Sequence, residues 1–123
     1  MKFKIMTEVK RGDIWLVNLD PTIGHEIKKS RPAVIIQNDI GNKYSPITIM
    51  APITSQNLGK IYPIEVFLPW RNSGLEKDSK ALLNQIRAVD KRRIVKKLGK
   101  VDKEIIDKIN NAIKISLGLV EIE

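Results

Sequence analysis

The sequence predicts an α+β domain: a small, strongly bent antiparallel sheet or half-barrel with one helix at its C-terminus. Three observations carry this. Short apolar runs of β-forming residues recur between turns marked by Pro, Gly and Asn, and only the C-terminal segment repeats its apolar residues at helical spacing. Nothing in the 123 residues reads as a linker, an internal repeat or a low-complexity block, so residues 1–123 form a single domain. With 42% hydrophobic residues, the chain can fill a core without a disulfide or metal staple.

The elements follow in order. After Arg11-Gly12, the run Asp13-Ile14-Trp15-Leu16-Val17-Asn18-Leu19 reads as a strand that stops at Asp20-Pro21, with Trp15 in the core. Pro32 to Asn38 contains Ala33-Val34-Ile35-Ile36, whose uninterrupted apolar character suits a buried strand. Gly41, Asn42, Ser45 and Pro46 signal turns, and Ile47 to Ala51 follows as a third strand. Ile64 to Leu68, bracketed by Pro63 and Pro69, is a fourth. Lys80 to Ala88 reads as a fifth, with Ala81, Leu83, Gln85 and Arg87 on one side and Leu82, Ile86 and Ala88 on the other. The helix starts at Asp102 as N-cap, carries Ile105, Ile106, Ile109, Ala112, Ile113 and Leu117 as its apolar stripe, and stops at Gly118. Leu119, Val120 and Ile122 extend that apolar area beyond what one helix needs, enough to cover a partner subunit.

Composition narrows the function. No Cys is present, which excludes a disulfide scaffold, a thiolate metal site and a cysteine nucleophile. The first residues carry charge at Lys2, Lys4 and Glu8 where a signal peptide would be apolar, and no window approaches a membrane span, so a cytoplasmic protein is expected. Lys plus Arg is 22 against 14 for Asp plus Glu, a formal charge of +8, and the partner expected of such an excess is acidic. Much of the positive charge crowds between Lys80 and Lys103, a pattern that by itself describes a solvated face.

One segment stands out from the connectors. Asp20 to Pro32 places the only His of the chain, His25, with Glu26, Lys28, Lys29 and Arg31 between two apolar strands, where a hairpin needs about two to five residues. A carboxylate or imidazole there can move a proton, and an arginine can hold a phosphate through two parallel hydrogen bonds. The phosphate loop GxxxxGK[ST], GxGxxG, HExxH and GxSxG are all absent, as is a pair of carboxylates at metal-ligand spacing, so neither a metal nor another cofactor is expected. RNA cleavage remains open, because the substrate's own 2′-hydroxyl is the nucleophile.

Ordered along the chain, several motifs resemble the MazF/PemK toxin family. They are Gly12-Asp13-Ile14-Trp15, Asp20-Pro21 with Gly24-His25-Glu26, and Arg31-Pro32-Ala33-Val34-Ile35-Ile36-Gln37-Asn38. Gly41 to Pro46, Ile53-Thr54-Ser55-Gln56, Gly74 to Ser79, Leu82 to Arg87 and Ile115 to Leu119 continue the match, which spans about residues 11–119. The resemblance implies an SH3-like antiparallel β-barrel of the MazF and CcdB type with a C-terminal helix. It also implies a homodimeric, ribosome-independent endoribonuclease, the toxin of a toxin–antitoxin pair, that cuts single-stranded RNA to 2′,3′-cyclic phosphate and 5′-hydroxyl ends without metal.

Carried over by position, the resemblance makes Arg31 and Thr54 the catalytic pair and Glu26 the catalytic carboxylate. His25 becomes a substrate contact or accessory acid–base group, and Asp20, Pro21, Lys28, Lys29, Gln56, Asn57, Tyr62, Ser79, Gln85 and Arg87 become substrate-binding candidates. The tract Ile27-Lys28-Lys29 departs from the family's usual loop, which bears on the RNA sequence preferred. A cognate acidic antitoxin of the MazE kind is the implied partner. Two alternatives stay open: a non-catalytic toxin similar to CcdB that engages DNA gyrase, and a basic RNA-binding module without turnover.

Overall fold

The computed structural model describes residues 8–19 and 30–122. Asp20, Pro21, His25, Glu26, Lys28 and Lys29 lie outside the described residues. Among the described residues, seven strands form one sheet: β1 (Asp13–Asn18), β2 (Ser30–Ile35), β3 (Ile47–Thr54), β4 (Glu65–Leu68), β5 (Ser79–Leu82), β6 (Arg87–Asp90) and β7 (Ile94–Lys100). Two helices accompany them, a short α1 (Asp39–Tyr44) and the C-terminal α2 (Lys103–Ser116).

Neighbouring strands run β4-β5-β3-β2-β1-β7, with β6 joined to β3, and every pairing is antiparallel. The path is open rather than closed. β3 is the hub. One of its edges meets β2 through Met50–Pro52, while the other is divided between β6 at Ile47–Met50 and β5 at Ile53–Thr54. That division bends the sheet and gives it two apolar faces. Ile14, Val34, Ala51, Ile53 and Leu83 share one cluster with Ile109 and Ala112 of α2, and Val17, Ala33, Ile35 and Met50 share the other with Val9, Val89 and Ile94.

The helix boundaries match the sequence reading. Asp102 accepts the Ile105 N–H at 3.0 Å as N-cap. Beyond the last turn Gly118 takes φ +76, and the Leu119 N–H donates to the Lys114 carbonyl at 2.8 Å. No helix among the described residues is long and apolar enough to cross a membrane.

Two expectations need correction, and one strand is added. The Gly41–Asn42 stretch is helical, because Asn38 caps α1 by accepting the Gly41 N–H at 2.8 Å and Asn42 is buried in a side-chain network. Lys80 to Ala88 is not one strand: a turn at Leu83–Ile86, with Gln85 N–H on the Leu82 carbonyl at 3.1 Å, separates β5 from β6 and returns Gln85 and Arg87 to the face opposite Leu83. The basic stretch Ile94–Lys100 keeps Lys96, Lys97 and Lys100 exposed, as a solvated face does, and also forms strand β7. Register shifts opposite Ile14/Trp15 and Leu16/Val17 break its period of two, which hides it from a pattern search.

Candidate active site

Arg31 belongs to β2 rather than to a loop. It is an exposed residue opposite buried Val17 of β1. Between β2 and β3 the ladder runs from Ile35↔Met50 to Ala33↔Pro52 and stops. Pro32, whose ring nitrogen stands where an amide would face β3, removes a ladder donor at that point. Arg31 and Thr54 lie just beyond that end, each two residues past the last β2–β3 pair, and Thr54 pairs with Lys80 of β5.

Thr54, the last residue of β3, is half-buried. Its Oγ1 accepts the Gln56 N–H at 3.1 Å, a bond that fixes the rotamer and leaves the hydroxyl proton for donation. Two clefts adjoin at this point, and Arg31, Thr54 and Gln56 line both. The first, about 740 Å³, is walled by Leu16 of β1, Lys96 and Leu98 of β7, and the Gly74–Lys77 loop. The second, 470 Å³, lies toward β5 and β6 and takes Asn57, Glu65, Lys80, Gln85 and Arg87. Arg31, Lys77 and Lys96 give the first an excess of positive charge over Glu76, and Arg31 and Arg87 do the same for the second, where Lys80 and Glu65 neutralise each other.

The structure thus gathers Arg31, Thr54, Gln56, Asn57, Gln85 and Arg87 at one place. Ser79 lines the first cleft, but it is buried and its hydroxyl donates to the Lys77 carbonyl at 2.9 Å, so it shapes the wall. Tyr62 lines neither cleft. It is exposed on the β3–β4 connection with Lys60 Nζ 5.2 Å from its ring centre. Sequence reasoning passed over Lys96, Lys77, Glu65 and Lys80. Lys77 lay inside the matched Gly74–Ser79 motif, whereas Lys96 was masked by the bulged period of β7.

Such a site can neutralise charge on a phosphate from two donors and hold a flexible polyanion on both sides of it. It offers an arginine and a hydroxyl on facing strands, with positive grooves leading away in two directions.

Comparisons with known proteins give the family. A model of the family described as "PemK-like, MazF-like toxin of type II toxin-antitoxin system" matches residues 10–117. The chain is 43% identical over 113 residues to Endoribonuclease EndoA of Bacillus subtilis, covering 92% of this chain and 97% of that protein. It is 48% identical over 112 residues to Endoribonuclease MazF of Staphylococcus saprophyticus, covering 90% and 92%. Among solved structures it is similar to a MazE–MazF crystal structure from Deinococcus radiodurans, with TM-score 0.76, 25% identity and coverage of 93% and 99%.

Proposed function

Because this chain belongs to the PemK-like, MazF-like toxin family of type II toxin–antitoxin systems and is a toxin endoribonuclease, we propose that Arg31 and Thr54 drive transesterification of single-stranded RNA without a metal. The RNA 2′-oxygen attacks the adjacent phosphorus, the bond to the 5′-oxygen breaks, and the products carry a 2′,3′-cyclic phosphate and a 5′-hydroxyl. Glu26 takes the 2′-hydroxyl proton. Arg31 cannot serve as that base, since a guanidinium stays protonated. Its work is electrostatic: together with the Thr54 hydroxyl it donates hydrogen bonds to the phosphoryl oxygens and the departing 5′-oxygen as charge develops. His25 or solvent supplies the proton that the 5′-oxygen gains.

The observation that supports this reading best is that Arg31 and Thr54 both line each of two adjoining, positively charged clefts, just beyond the end of the β2–β3 ladder. A single strand laid across that point puts nucleotides into both clefts and one phosphate between the pair. Gln56, Asn57, Gln85 and Arg87 are the base-edge readers of the second cleft, as single-stranded recognition requires.

The same clefts suit an acidic antitoxin tail that competes with RNA, in line with the MazE–MazF pairing of the Deinococcus relative. Exposed Leu117, Leu119, Val120 and Ile122 support a homodimer joined near the end of α2.

The test is cleavage of a long single-stranded RNA in excess EDTA with both ends mapped. Cut RNA with cyclic phosphate and 5′-hydroxyl ends is expected; intact RNA or 5′-phosphate ends would overturn the mechanism. Titrating uncleavable RNA against an acidic tail peptide tests the competition, and light scattering tests the dimer.

A further inference from the structure

Lys80 and Glu65 form an ion pair, Nζ to Oε1 3.0 Å, with side chains only 5% and 11% exposed. A lysine this far from water is rare unless all of its protons are satisfied. Here they are. Besides Glu65, Nζ donates to the carbonyls of Asn57 at 2.9 Å and Lys60 at 3.2 Å. The same Glu65 oxygen accepts the Tyr62 N–H at 3.0 Å, and the Glu65 N–H donates to the Tyr62 carbonyl at 2.8 Å. Three points along the connection between β3 and β4 are therefore tied to one buried pair.

That connection has no strand or helix to hold it, and Asn57 within it sits at φ 56. A pair of well-packed apolar side chains would satisfy burial equally well, since a buried ion pair seldom gains more than its desolvation costs. Apolar groups could not grip two carbonyls and an amide. The tie also begins at a particular place: Lys80 pairs across the sheet with Thr54, and Gln56 and Asn57 of the tied segment line the second cleft beside Arg31.

Resting on the RNA-cleavage reading above, we infer that Lys80 and Glu65 are positioning residues that set which RNA sequence the second cleft accepts, by holding Gln56 and Asn57 in one arrangement against the bound strand. They act through the loop. Loss of the pair therefore changes discrimination between RNA sequences before it changes the chemistry at Arg31 and Thr54.

The experiment maps cleavage sites across a long RNA with wild type and with the double variant Lys80→Met/Glu65→Leu, which fills the same space without charge. KM and kcat are then measured on a short RNA bearing the preferred wild-type site. Wild type cutting RNA at defined sites verifies the underlying function independently of the variants. For the double variant the expected result is new cleavage sites, a KM on the preferred site raised about tenfold, and a kcat changed far less, as befits lost positioning of binding groups. An unchanged site profile, or equal loss at all sites in proportion to lost folded protein, would overturn the inference. Glu65→Gln keeps the shape and an acceptor oxygen, so it is a second, milder variant that retains the fold. It should blur the same site preference to a smaller degree, and an unaltered profile for it overturns the inference equally.

Discussion

Gly74 and Gly99 meet backbone against backbone. A Cβ on Gly74 would stand 1.9 Å from the Leu98 carbonyl oxygen, and one on Gly99 would stand 2.0 Å from the Ser73 carbonyl oxygen. This contact presses the Gly74–Lys77 loop onto β7, and both contribute to the wall of the first cleft. Gly74 also holds φ +88, which only glycine adopts without strain.

Alanine at either position should therefore be costly. For Gly74→Ala the expected loss is about 2–5 kcal/mol, overpacking plus left-handed strain, read as a fall in the midpoint of urea unfolding. Gly99→Ala should lose somewhat less, having no positive φ to violate. Wild-type stability in both variants would show that the loop and β7 can separate freely.

Arg31→Ala and Thr54→Ala should each lower the cleavage rate by about 10²–10³-fold, the cost of removing one preorganised donor. The exposed arginine should barely alter thermal stability. Thr54→Ala gives up the bond to the Gln56 N–H, a loss of about 1 kcal/mol, which Thr54→Ser restores. Full cleavage by both alanine variants would locate the chemistry elsewhere. Glu26→Gln should slow cleavage by about 10²–10⁴-fold if Glu26 is the base, measured as single-turnover rate against pH.

Asn42 should be among the least replaceable polar residues away from the site. Its side chain donates to the Gln37 carbonyl at 2.9 Å and to Asp39 at 3.1 Å, and it accepts from the Thr48 hydroxyl at 2.6 Å and from Gln37 Nε2 at 3.1 Å. Its own carbonyl accepts from the buried Lys91 ammonium. Asn42→Ala strands several of these partners at once, so a loss of about 2–4 kcal/mol is expected. A shift in melting temperature too small to resolve would contradict this.

Acid should weaken the fold partly through Asp90. The Arg92 side chain and N–H bond its carboxylate and depress it from 3.8 to about 2. Asp39 is lowered as well, first through the Arg11 N–H at 2.7 Å. Each group is ionised more readily folded than unfolded, so its contribution is complete above the ordinary carboxylate value and fades as pH falls through the folded one. Melting temperature followed from neutral pH down to about 2 should show this loss. Asp90→Asn should lie below wild type at neutral pH and converge with it in acid; parallel curves would remove Asp90 as a cause.

The parts of this fold legible in the sequence are those with an uninterrupted local period. β1, β2, β3 and β4 show as apolar runs between Pro and Gly, and α2 shows as a stripe with a cap at each end. α1 carries glycine and asparagine inside it because its stability comes from the Asn38 cap and the Asn42 network rather than from propensity. Bulges conceal β7. The turn between β5 and β6 escapes notice because Leu83–Ile86 contains neither Gly nor Pro. At the site, family motifs point to Arg31 and Thr54, but their meeting at two adjoining clefts depends on how β2 and β3 pair, which no single-chain pattern encodes. Lys80 looked like one more surface charge. Its burial depends on three partners drawn from residues 57 to 65, a tertiary fact.

The pairing of β1 with β7 bears on when this toxin becomes dangerous. Leu16 lies on the first strand, while Lys96 and Leu98, across the same cleft, belong to the last. A nascent chain reaches that arrangement only after residues 94–100 have left the ribosome, since β7 must dock on β1 before the wall exists. Translation stopped before residue 94 yields a product that lacks the β7 wall of the first cleft. This toxin endoribonuclease must therefore have its own message read almost to completion before that wall can form.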